Sequence, residues 1–485
     1  MVLTANYVFI KLYAYSEFMK TNTLIMLATL ASASLASAQV ASNGNWSDSQ
    51  TWSGGSVPEG SSATPLDNLS FSTSGLILNV DSDRYVKILT PGSLTQTISV
   101  DSGKILHIKG NGTSEAAVIA GVSNTASVIN FKGDGKVSFD LAANAFIKTG
   151  TYNFDAALVS SYRSFYLDGG IFNINKGWTA SSNIQFRGAL TLNANSNIAF
   201  NGGLNGWSNS ATLNVAEGVT VSGSYLAFTR GTIKGTIHAT SQYDGERYAI
   251  SLGRAPENSS QYLPMILAST ASVISDSQKC YLQIRASDLT VNSAANSISS
   301  QYGIVMHQSK VTLNTSGAFS VKGASQENSI ITLGVVQKET TLATKTTVSI
   351  TLNADNNFGG FCLMGGSTLN LYTNGKMSDI GKFYGDFADG DPLSYTVNLY
   401  SHLDNTMRIF DIADENINTY TDDSGALRTS NIKIDGESGL ADAYLIRDDI
   451  AGGYWINSSA VPEPSTVAAI FGILALGFVA IRRRK

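Results

Sequence analysis

One short element recurs along this chain at a nearly constant interval: an apolar residue or Thr, then an apolar residue, then Asn. It appears as Val128-Ile129-Asn130, Thr151-Tyr152-Asn153, Ile171-Phe172-Asn173, Thr191-Leu192-Asn193 and Thr212-Leu213-Asn214, with Asn-to-Asn spacings of 23, 20, 20 and 21. It returns as Thr290-Val291-Asn292, Thr312-Leu313-Asn314, Thr351-Leu352-Asn353, Thr368-Leu369-Asn370 and Thr396-Val397-Asn398. A period near 20 is too short for a pair of helices and fits one coil of a β-solenoid. The fold expected is therefore all-β, a right-handed parallel β-helix of roughly 20-residue coils, with a hydrophobic helix at the C-terminus. Asn is expected at the corner of each coil, where it tolerates left-handed backbone and can hydrogen-bond to the same Asn on the next coil. The 39-residue gap between Asn314 and Asn353 suggests one further element at Thr332-Leu333-Gly334. At 20 residues per coil the body would hold about 19 coils and reach about 90 Å.

Composition agrees with long stacked strands. Charged residues are only 14% of the chain, against roughly 25% in an ordinary soluble domain, and there are 45 Gly. The absence of a basic stripe argues against nucleic acid as a partner.

The two ends carry the addressing information. Lys20, the apolar stretch 24–35 and Ala36-Ser37-Ala38 have the order of a secretory signal, so residues 19–38 are expected to be removed by signal peptidase and Gln39 to begin the mature chain. Residues 1–18 are read as an over-called start. At the other end, Val461-Pro462-Glu463-Pro464 precedes an apolar run, 467–481, and then Arg482, Arg483, Arg484 and Lys485. An extended stop, a short membrane helix and a cytoplasmic basic anchor follow from that order.

This tripartite tail resembles the PEP-CTERM sorting signal of Gram-negative bacteria. The resemblance implies insertion in the inner membrane, cleavage by an exosortase-like membrane protease, and release to the cell surface or into extracellular polysaccharide. Without its two ends the chain has 26 basic against 35 acidic residues, an exported acidic body. Its first segment, with Trp46 and Trp52 six residues apart, resembles the start of autotransporter-type β-helix passengers. The organisation expected is a cap over 39–67, a parallel body over 68–456 and a sorting tail over 457–485.

No catalytic, cofactor-binding or metal site is expected. The acidic stretch 385–392, with Asp411, Asp414 and Glu415 after it, lacks the spacing of an EF-hand loop or a calcium nonapeptide. His107, His238, His307 and His402 have no metal-ligand spacing. Tyr243, Asp244, Glu246, Arg247 and Tyr248 interrupt the repeat and read as a projecting loop. Cys280 and Cys362 should lie about four coils apart, too far for a disulfide, with Cys362 the more buried. The function expected is a surface or matrix protein, a stalk or adhesin-like biofilm component. The alternative is a secreted β-helix polysaccharide lyase or hydrolase.

Overall fold

The computed structural model describes residues 37–460, apart from 93–94, 110–116, 122–126, 141–144, 162–163, 182, 207–210, 241–247, 254–261, 322–329, 335–345, 365 and 387–392. Among the described residues there are 44 strands and no α-helix, and the strands join into one continuous sheet that winds in a ring. Nearly every pairing is parallel and links a strand to the equivalent strand one coil on. Three faces result. The first starts at Ser37–Val40, the second at Gly44–Asn45, and the third at the beginning of Arg84–Gly92, a strand long enough to turn from the third face onto the first.

Alternation within each strand drives the winding. Along the second face Ile129, Phe131, Tyr152, Phe154, Phe172, Ile174, Leu192 and Leu213 point inward and are at most 1% exposed. Period-two patterning with a tight turn at each corner places these side chains in rows down the axis. Rings from successive coils then stack, Phe131 on Phe154 at 4.9 Å and Tyr152 on Phe172 at 5.1 Å. The corner from the first to the second face is made by glycine. Gly170 has φ +97°, and a Cβ there would lie 2.2 Å from the Gly150 carbonyl oxygen.

The register corrects several expectations. Asn130, Asn153, Asn173, Asn193 and Asn214 occupy equivalent positions on successive coils, but within strands and not at left-handed corners. An outward position in a parallel strand serves equally well, because it repeats along the axis at the strand spacing. Thr332-Leu333-Gly334 does not fill the 39-residue gap. Ile330–Leu333 belongs to the first face, while Thr312 pairs directly with Thr351, so this coil is simply long. Asn353 and Asn370 are not equivalent either, since Asn370 lies opposite Ser349. Long coils lower the count: fifteen described strands stack on the first face, giving a rod of about 67 Å in place of about 90 Å.

Antiparallel segments cover strand edges at both ends of the sheet. The strand Ser37–Val40 has its neighbour Leu66–Phe71 on one side. On the other, Ala41 N–H donates to Thr51 at 2.9 Å and Ser53 N–H to Gln39 at 3.0 Å, so an antiparallel segment occupies the free edge. Trp46 and Trp52, 1% and 4% exposed, pack edge to face at 5.0 Å beside it. The coils thus begin inside the segment expected to be only a cap. At the far end the parallel body expected as far as 456 turns antiparallel. Leu427–Gly436 continues the second face, Gly439–Arg447 pairs with it, and Tyr454–Asn457 closes onto Met407–Asp411 of the third face. Unpaired strand edges invite association, and this antiparallel segment covers those of the second and third faces at the far end.

The two cysteines are three coils apart, not four, because Tyr281–Arg285 reaches Gly360–Met364 through two intervening strands. Both are thiols and buried, Cys280 at 3% and Cys362 at 5%, so Cys362 is not the more buried. Cys280 joins the interior. Cys362 alternates with the inward Phe361 and Leu363.

Candidate functional site

The addressing residues fall at the limits of the described chain. Ala36 and all of Val461, Pro462, Glu463, Pro464, Arg482, Arg483, Arg484 and Lys485 lie outside the described residues, as does the expected helix 467–481. Among the described residues no helix is long and apolar enough to cross a membrane. Ala38 and Gln39 sit in the first strand, opposite Leu69 and Ser70. A cut between them leaves Gln39 and Val40 in place, and Gln39 supplies the carbonyl that holds the capping segment.

The recurring asparagines form amide ladders. Asn153 Nδ2 donates to Asn130 Oδ1 at 2.7 Å, Asn173 to Asn153 at 2.6 Å, Asn193 to Asn173 at 2.7 Å and Asn214 to Asn193 at 2.8 Å. A second ladder starts just past the strand ends, with Asn314 donating to Asn292, Asn353 to Asn314 and Asn374 to Asn353, at 2.6, 2.7 and 3.1 Å. Each rung uses one donor and one acceptor, and some of the remaining capacity is taken by backbone groups, as where Thr232 N–H donates to Asn214 Oδ1 at 3.0 Å.

The titratable groups are engaged in structure. His107 pairs with Asp140, and His238 Nε2 meets Asp276 Oδ2 at 2.7 Å. Burial works to raise the Asp140 carboxyl, but hydrogen bonds from His107 and Ser138 outweigh it and hold the group below its ordinary range. These partners are 33 and 38 residues apart, and only the coil register could have joined them. His307 is 4% exposed, and among the described residues neither ring nitrogen has a hydrogen-bond partner. Burial, helped by the Arg285 guanidinium, pushes it down to about 4. His402 Nε2–H donates to the Ile456 carbonyl at 2.6 Å, and burial lowers its pKa against the pull of that carbonyl and of Asp404. Since a carbonyl accepts, Nε2 carries the proton.

Carboxylates meet at one described groove of about 430 Å³, lined by Asp355, Asn357, Met377, Ser378, Asp379 and Arg408. Arg408 donates to both oxygens of Asp379 at 3.1 and 2.9 Å and to Asp448 at 2.8 Å, tying the body to the antiparallel cap. Asp355 accepts the Met377 N–H at 2.8 Å. Acid–base work in hydrolysis needs carboxyl groups free to exchange protons with substrate, and these hold the backbone and a guanidinium. Asp411 caps its own turn, accepting from Ala413 and Asn416 at 3.0 Å each. Among the described residues no three His, Cys, Asp or Glu side chains gather to hold a metal. The stretch 387–392 and Tyr243 to Arg247 lie outside the described residues, while Tyr248 opens a first-face strand.

The specific signal for function is the tail. Residues 460–485 match the PEP-CTERM protein-sorting motif. A PEP-CTERM signal marks a protein exported by an exosortase route to the cell surface or the extracellular space. No curated protein and no solved structure matches the chain.

Proposed function

We propose that this PEP-CTERM protein is a non-enzymatic surface or extracellular-matrix component whose right-handed β-solenoid acts as a stalk or adhesin. Right-handed crossover between parallel strands is the rule that supports the hand. The observation that carries the reading is the sorting motif joined directly to the antiparallel cap of the rod. Asn405 N–H donates to Asn457 at 2.9 Å and Asn457 returns a bond to Asn405 at 3.1 Å, and the Pro-Glu-Pro motif follows within a few residues. In the inner-membrane intermediate of a Gram-negative-type cell, the protease would act within a few residues of the cap.

The working partners are signal peptidase, an exosortase-like protease and extracellular polysaccharide. Replacing Pro462, Glu463 and Pro464 with Ala should leave the chain in the inner-membrane fraction with its tail mass intact. Release at the wild-type level would make the tail an ordinary anchor and remove the basis of the proposal.

A further inference from the structure

The second face carries a column of outward residues that can be followed in register over fourteen strands. It begins at Ile77 and Thr97, passes through the five laddered asparagines and Thr232 to Ile266, continues through three threonines and ends on Tyr372 and Tyr400. No member is charged. Ile77, Ile266 and Tyr372 are 46%, 42% and 36% exposed, and Ile171 in the adjoining column is 42% exposed. Tyr372 and Tyr400 stack at 4.8 Å with their rings 18° apart. Charge on this face is displaced to the flanking positions, among them Lys132, Asp288 and Lys310.

We propose that this face packs against the same face of a second copy of the chain. A charge-free centre dotted with apolar side chains and bounded by charged residues is the anatomy of a protein–protein interface. A solvated stalk would instead carry Lys and Glu along its middle. Thirteen steps of about 4.8 Å, across the uncharged column and the two flanking columns that carry the charged rim, each about 7 Å away, give a face of about 62 by 14 Å, or roughly 900 Å² with the rim included. A stable interface needs roughly 800 Å² from each partner. The column is uncharged from end to end, so a two-fold that turns one rod against the other brings no like charges together at the centre.

The test is light scattering on the full chain in mild detergent, comparing wild type with Ile171→Lys/Ile266→Lys. Both side chains are exposed, so the variant should keep its circular dichroism and unfolding midpoint. Two chains per particle for wild type and one for the variant are expected. Ile171→Cys should cross-link between chains on oxidation, whereas Thr179→Cys, exposed on the third face, should not. A monomeric wild type, or a variant that keeps the wild-type mass, overturns the proposal. So does a monomer that sediments with cellulose only when Ile171 and Ile266 are intact, because the face would then bind glycan.

Discussion

Asn193 shows how much one position does in a repeating structure. It accepts from Asn214 and donates to Asn173, so Asn193→Leu strands a donor on one neighbour and an acceptor on the other. Both neighbours are half-buried, and the expected cost is about 1–3 kcal/mol by chemical denaturation. An unchanged unfolding midpoint would mean that water replaces the rungs freely. The ladder was legible in the sequence because identical residues recurred at the coil spacing. His307 was not legible, since nothing in its local sequence announces burial without a partner. Its folded pKa of about 4 lies below the ordinary value of about 6.5. Above pH 6.5 the ring is neutral in both states and stability is at its plateau. Between pH 6.5 and 4 the unfolded chain takes up the proton first, so stability falls by about 3 kcal/mol from this residue. Denaturation at pH 7 and pH 4.5 should therefore show a smaller loss for His307→Leu than for wild type. Equal losses would place the acid sensitivity elsewhere.

At the scale of elements, the strands were readable from alternation and the corners from Gly, whereas the recurring Asn, expected at the corners, lie within the strands. Coil length was not readable, because an insertion leaves the strand pattern on either side intact. The 39-residue coil between Thr312 and Thr351 reads in sequence as a missing repeat. The caps were half legible: two Trp six residues apart marked the first end, but nothing signalled that 427–457 would turn antiparallel. The N-terminal cap also makes a prediction specific to solenoids. Trp52 is 4% exposed, packs on Trp46 and donates Nε1–H to the Trp46 carbonyl at 2.9 Å. Trp52→Ala removes that packing, a loss of about 3–5 kcal/mol. Each coil touches only its neighbours, so the damage should stay local. Hydrogen exchange should accelerate in Ser37–Val40 and Leu66–Phe71 while the strands from Thr151 to Val215 keep their protection. Uniform acceleration along the rod would show that it unfolds as one cooperative unit.

For the whole molecule, the axis is a ruler, and the two cysteines test its calibration. Cys280 immediately precedes Tyr281–Arg285, and Cys362 lies in Gly360–Met364, three strand steps further along the first face. Three steps are about 14 Å, whereas a disulfide needs Cα atoms within about 7 Å. Export places the chain where oxidation is permitted, so geometry and not compartment keeps these thiols apart. Their burial adds a kinetic barrier, because a thiol must be reached before it can react. The native protein should therefore show almost no reaction with a bulky maleimide, and two equivalents should appear on denaturation without reductant. Only one of the errors in the sequence reading bears on this outcome. Counting four coils or three leaves the bond out of reach, because each step along the axis is fixed by the strand spacing whatever the length of the loops. A Cys280–Cys362 bridge found by mass spectrometry of the native, non-reduced protein would require the first face to fold back on itself, and the parallel register from Tyr281 to Met364 would be wrong.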